Sequence, residues 1–278
     1  MTATELPASA FSLAGRVAVV TGGAGLLGPR HAEALAAAGG IPVIADIRLE
    51  AAERVAADIA DRFGVQATAT LLDVADETSV EAATARVLDR YGRVDILVNN
   101  AANNPRVEDG VTAFTRIEAF PLARWNADIA VGLTGPFLCA KHIGAAMSRA
   151  GRGCIVNIGS EYGMIAPDQR LYRVEGLPDS AQPAKPVSYT AVKAGLHGLT
   201  LYLATYWAGA GVRVNSITVG GVENGQDSGF VARAASRIPL GRMGRPTDYQ
   251  GALVYLCSDA ASFVTGANLV VDGGKSVW

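Results

Sequence analysis

The chain has 278 residues, half of them apolar, and a formal net charge of −2 at pH 7 with no long run of either sign. That balance gives no electrostatic reason to expect a nucleic acid or an anionic membrane as partner, and no apolar stretch reads as long enough to cross a bilayer. Met1 to Leu13 lacks the basic start and apolar centre of a secretory signal, so a cytoplasmic protein with one large core is expected.

Short apolar runs alternate with alanine-rich amphipathic stretches. Arg16 to Thr21 reads as a first strand and Leu27 to Ala38 as a helix stopped by Gly39-Gly40. Ile41 to Asp46 is a second strand, and Glu50 to Phe63 a helix closed by Gly64. Ala67 to Leu72 is a third strand, Glu77 to Tyr91 a helix closed by Gly92, and Val94 to Asn99 a fourth strand. Leu122 to Arg149 reads as a long helix, Cys154 to Ile158 as a fifth strand and Val187 to Ala208 as another long helix. Val212 to Thr218 is a sixth strand. Thr247 to Ser258 is a helix with Thr247 placed to cap it, and Asn268 to Val271 is a last strand.

This β-α-β-α order implies an α/β fold, a Rossmann-type doubly wound parallel sheet of about seven strands with helices on both faces. No composition shift divides the chain, so residues 1–278 are expected to form a single dinucleotide-binding catalytic domain. Three long connections, near 103–121, 165–186 and 220–239, follow strands and are expected to overhang the ligand crevice. Cys139, Cys154 and Cys257 lie in apolar segments without metal-ligand spacing and read as buried thiols. His31, His142 and His197 have no second ligand beside them, so no metal site is expected.

The glycine-rich run Thr21 to Gly28 follows a strand and opens a helix. Its Gly22, Gly25 and Gly28, with Leu26 and Leu27 between, suit a backbone that approaches a pyrophosphate at a helix N-terminus. Asp46 ends the second strand, where a carboxylate accepts ribose hydroxyls and repels a 2′-phosphate, so NAD is expected rather than NADP; Arg48 lies nearby. Asp73 and Val74, at the third strand's end, read as the adenine edge or as a strand-end cap. Asn100, Ala101 and Ala102 follow the fourth strand, where small residues leave room for a cofactor.

Tyr189 and Lys193 are four residues apart and share one helix face. An ammonium so placed is expected to lower the phenol's pKa and fit it to move a proton to or from an alcohol oxygen. Ser160, at the fifth strand's carboxyl end, has a hydroxyl that can donate to the same oxygen.

With these residues together the chain resembles the classical branch of the short-chain dehydrogenase/reductase family over nearly its whole length. The matching pieces are the Thr21–Gly28 loop, Asp73, Asn99-Asn100-Ala101, Ser160, Tyr189-x-x-x-Lys193, Arg213 to Ile217 and Asp272-Gly273-Gly274. The resemblance implies Tyr189 as general acid/base, Ser160 as orienter of the substrate oxygen, and Lys193 as holder of the nicotinamide ribose and tuner of the tyrosine. It also implies a homo-oligomer, a tetramer or dimer, with contacts in the Arg242 to Gly274 region.

The chain departs from the family pattern in four places. The middle loop glycine is displaced to Gly25, as in sugar-nucleotide epimerases. The family's helix asparagine, which anchors a proton-relay water, maps to Gly132. The proline-glycine after the sixth strand is Val219-Gly220, with Val222 and Asn224 beyond it at the expected carboxamide site. The gap between Ser160 and Tyr189 carries an insertion, residues 165–186, over the substrate site.

The expected activity is NAD-dependent hydride transfer to or from a secondary alcohol or ketone. Glu161, Arg170 and Tyr172 suggest a polar substrate, and the phrasing around His31 and Asn99 to Pro105 is similar to flagellin-modification and sugar oxidoreductases. An NAD-recycling sugar epimerase or dehydratase and a non-catalytic NAD sensor are the alternatives.

Overall fold

The structure, a computed structural model, describes residues 8–103 and 115–278. Part of the expected connection near 103–121 therefore lies outside the described residues. Seven parallel strands form one sheet in the order β3-β2-β1-β4-β5-β6-β7. They are β1 (Val17–Thr21), β2 (Ile41–Asp46), β3 (Thr68–Leu71), β4 (Ile96–Asn99), β5 (Gly153–Ser160), β6 (Val212–Val219) and β7 (Asn268–Val271). The helices between them are α1 (Gly28–Ala37), α2 (Leu49–Phe63), α3 (Glu77–Tyr91), α4 (Leu122–Arg149), α5 (Val187–Tyr206), α6 (Ser228–Ala235) and α7 (Gln250–Cys257).

The central strands β1 and β4 are buried at every position because helices cover both sheet faces. In β1, Val17 and Val19 face one core, with Val87 of α3, Ile143 and Met147 of α4, and Leu203 of α5. Ala18 and Val20 alternate to the other face, against Leu35 of α1, Ile59 of α2 and Leu253 and Leu256 of α7. The winding reverses between β1 and β4, and a crevice opens there beyond the strands' carboxyl ends.

The α4 helix is 28 residues long and apolar enough to span a bilayer by length and composition alone, but half of its most apolar window is buried. Its hydrogen bonding widens to π turns at Ala130–Thr134 and Ala140–Gly144. The three cysteines are free and buried, and burial pushes the Cys139 thiol up to about 12.

Two element expectations need correction. The last helix starts at Gln250, not Thr247, and has no side-chain cap. Asp248 instead closes a turn by accepting from the Arg245 amide at 2.8 Å, and Gln250 N bonds Thr247 O, which delays the helix. The segment 220–239 contains helix α6, whose N-terminus is capped by Asp227 accepting from Phe230 N at 2.9 Å.

Candidate active site

The ends of β1 and β4 are tied together at the crevice. Thr21 Oγ1 accepts from the Asn100 and Ala101 amides at 3.0 and 3.1 Å, and Asn100 Nδ2 donates to the Thr21 and Gly22 carbonyls. Gly22 has φ +58° and lies so near Ala101 that a β-carbon would stand 2.8 Å from its Cα. A β-carbon at Gly28 would run into the Gly22 carbonyl, so this glycine shapes the loop from behind and does not line the cavity. Gly22, Gly25, Leu26 and Leu27 do line it. Asp46 accepts from the Ala24 amide at 2.9 Å and from the Arg48 amide at 3.0 Å, at the cavity's outer end. Asp73 accepts from Ala75 N, so its turn-closing role is present, and with Val74 it lines the same wall. Such a cradle of close backbone, opening a helix and ending in a carboxylate, fits a dinucleotide.

The cavity is about 660 Å³ and runs from Asp46 past Asn100, Ala101 and Ala102 to Ser160, Tyr189 and Lys193. Val222 and Asn224 also border it. Buried amides fix the far side. Asn99 Nδ2 donates to Asn157 Oδ1, and Asn157 Nδ2 donates to Thr200 Oγ1, each at 2.8 Å. These bonds join β4, β5 and α5, so the face of α5 carrying Tyr189 and Lys193 meets the end of β5. Ser160 is the last residue of that strand, paired with Val219. Its hydroxyl accepts from Tyr162 N at 3.3 Å and lowers the Tyr189 pKa by a hydrogen bond.

The expected acidification of Tyr189 by Lys193 is not present. The tyrosine keeps some exposure overall, yet burial at its hydroxyl is the largest influence and raises its pKa. Lys193 Nζ donates to the Ile158 carbonyl at 2.8 Å and lies 5.8 Å from the tyrosine ring centroid. Burial, with a smaller push from Lys185, lowers the Lys193 pKa to about 8. Helix spacing placed the pair correctly; burial decided its electrostatics.

Gly132 lies in the first π turn, and a β-carbon there would overlap Val192 Cγ1. Valine, not solvent, occupies the position where the family's asparagine side chain would start.

The 165–186 insertion borders the cavity through Leu171, Tyr172 and Lys185. Leu171 and Tyr172 pack on Phe230, Ala234 and Ile238, joining the insertion to α6. Asp168 reinforces this by pairing with Arg237 at 2.8 Å. Arg170 is a correction: its side chain is 77% exposed, pairs with Asp168, and does not line this cavity. The charge-assisted pair with a neighbour two residues away turns the guanidinium outward, and its hydrogen bond holds the Asp168 carboxyl down at about 2. Glu161 is buried in the cavity wall, where burial raises its pKa against the opposing pull of Lys275.

Sequence reasoning missed Lys185, Lys275 and Tyr162. Lys185 lies before α5, which starts at Val187, so no helix spacing marks its nearness to Tyr189, yet its Nζ lies 4.1 Å from the tyrosine ring centroid. Lys275 follows Asp272-Gly273-Gly274 directly, and nothing local marks its reach to Glu161.

Comparison with known proteins agrees with this geometry. Residues 16–172 match the family model for short chain dehydrogenase, and residues 179–276 match one described as Enoyl-(Acyl carrier protein) reductase. The D-threitol dehydrogenase of Mycolicibacterium smegmatis is 37% identical, covering 96% of this chain and 95% of the relative. The cis-4-hydroxycyclohexanecarboxylate dehydrogenase of Sinomonas cyclohexanicum is also 37% identical, over 95% of this chain and 97% of its own. A gluconate 5-dehydrogenase from Burkholderia cenocepacia, solved in complex with NADP and tartrate, superposes with a TM-score of 0.85 at 31% identity, covering 97% and 98% of the two chains. The chain belongs to the short-chain dehydrogenase/reductase family.

Proposed function

We propose that this protein is an NAD-dependent oxidoreductase that interconverts a secondary alcohol and its ketone on a polar, hydroxylated substrate. The observation that carries the reading is the meeting of Ser160, Tyr189 and Lys193 at the end of β5, in one cavity with the glycine cradle and Asp46. A nicotinamide bound in that cradle supplies the hydride acceptor or donor. Tyr189 takes the proton from the alcohol oxygen or returns it to the ketone, while Ser160 donates a hydrogen bond that holds this oxygen in place. Lys193, buried beside the tyrosine with its ammonium on the Ile158 carbonyl, holds the ribose. Asp46 accepts from the adenosine ribose and disfavours a 2′-phosphate, which supports NAD over NADP.

The relatives act on a tetritol and a hydroxylated ring acid, as their names state, which supports a substrate with polar groups besides the reacting carbinol. An oligomer is proposed on the exposed Leu201, Tyr202 and Tyr206 of α5 and Phe137 of α4, an apolar face suited to a second copy. The test is to incubate the protein with NAD or NADP and a polyol and sugar panel, following absorbance of the reduced nicotinamide. Net reduction of NAD supports the reading. Binding without reduction on any alcohol overturns it in favour of a sensor, and product formation without net reduction favours an epimerase or dehydratase.

A further inference from the structure

Glu161 and Lys275 form a buried ion pair at the substrate end of the cavity, with side chains 3% and 11% exposed. Lys275 Nζ also lies 3.3 Å from the Tyr162 hydroxyl and 4.7 Å from the centroid of that ring. The ammonium is therefore satisfied by its neighbours. Glu161 meets it through Oε1 alone. The Gly221 amide is near enough to favour the charged carboxylate, yet no donor among the described residues reaches Oε2 with hydrogen-bonding geometry. A buried carboxylate oxygen without a donor is unfavourable, and a ligand donor removes that penalty. Glu161, Tyr162 and Lys275 all line the cavity that holds Ser160 and Tyr189.

We propose that Glu161, positioned by Lys275, determines specificity by accepting a hydrogen bond from a second hydroxyl of the substrate, so that the enzyme selects polyhydric over monohydric alcohols. This rests on the alcohol-oxidoreductase reading and names its substrate class. The unpartnered oxygen of the charged carboxylate is an acceptor only, so it takes a donor and repels a substrate carboxylate. An ammonium donor would face Lys185, Lys193 and Lys275 in the same cavity, which leaves a neutral hydroxyl as the matching group. Glu161 directly follows Ser160 and lines the same cavity, so a vicinal diol is the simplest substrate with which to probe the two together.

The test compares kcat/KM for 2,3-butanediol, 2-butanol, 3-amino-2-butanol and 2-hydroxybutanoate in the wild type, Glu161→Gln and Glu161→Ala. The doubly neutral Glu161→Gln/Lys275→Met protein guards against misfolding from an unpaired lysine. Wild type is expected to favour the diol over 2-butanol by about tenfold or more, and that ratio to fall by about tenfold in the variants, whatever loss both alcohols share. The thermal upshift that 2,3-butanediol adds to the NADH-loaded protein should vanish in the variants, while the NADH upshift itself shows that they are folded. An unchanged ratio in folded variants, or a wild-type preference for the amino alcohol or the acid, overturns the proposal. If wild type oxidises nothing with either cofactor, the oxidoreductase reading fails, and the Glu161 proposal is then decided by the diol-dependent upshift alone.

Discussion

Val192 fills the space that a side chain on Gly132 would need, one residue before the lysine that neighbours the candidate acid/base. Restoring the family's asparagine by Gly132→Asn should therefore harm the protein. Overpacking of this kind costs about 1–3 kcal/mol. Chemical denaturation should show that loss, and adding Val192→Ala should recover part of it. An asparagine variant as stable and as active as wild type would show that the π turn at Ala130–Thr134 yields easily.

Tyr189→Phe removes the hydroxyl that bonds Ser160 and leaves the ring against Tyr162, 6.5 Å between centroids. Turnover should fall by roughly 10²–10⁴. NADH affinity, read by fluorescence titration, should stay within about threefold, since less than 1 kcal/mol of binding is at issue. Retained turnover would remove Tyr189 from the proton transfer.

The ligand-free protein should gain stability with rising pH through Lys193. Its pKa is about 8 folded against 10.5 for an ordinary lysine. Below pH 8 the side chain is charged in both states, and the folded chain carries the whole desolvation penalty. Between about 8 and 10.5 the unfolded chain binds the extra proton, so stability climbs with pH. The full difference is on the order of 3 kcal/mol. Denaturation of wild type and Lys193→Met across this window isolates the effect from other titrating groups: the variant should lose the climb and be the more stable of the two near neutrality.

Asp46 accepts from two backbone amides while bordering the cradle, and Arg48 lies beside it with an exposed guanidinium. Wild type should bind NADH at least about tenfold more tightly than NADPH, a difference of about 1.4 kcal/mol. Asp46→Ser should reverse or erase that preference by removing the charge that opposes a 2′-phosphate and leaving Arg48 to attract it. Equal affinities in wild type would contradict the NAD assignment.

Much of the scaffold is legible in the sequence because its signals are local. Ile41–Asp46, Glu77–Tyr91 and Asn268–Val271 are bounded in the structure as the apolar runs and the Gly92 stop predict. Helix α6 is not legible, since Phe230 and Ala234 find their apolar partners in Leu171 and Tyr172, far away in sequence. Glu161 and Lys275 meet across 114 residues, a pairing that no spacing rule contains. The Tyr189–Lys193 spacing gives nearness but neither burial nor the turn of the ammonium onto Ile158. Arg170 illustrates the reverse: its charge suggests a ligand, and its neighbour Asp168 claims it.

The insertion after Ser160 runs straight into the tyrosine's own helix, because Pro186 ends one and starts the other. Tyr189 N bonds back to the Pro186 carbonyl at 3.2 Å, which fastens the candidate acid/base to the final link of that segment. Exchanging the stretch for a cousin's would consequently re-aim Tyr189 as well as reshape the cavity wall that Leu171 and Tyr172 form. On that footing the fit of the segment to a ligand and the aim of the Tyr189 hydroxyl are mechanically one trait, and neither can be transplanted as a separate module.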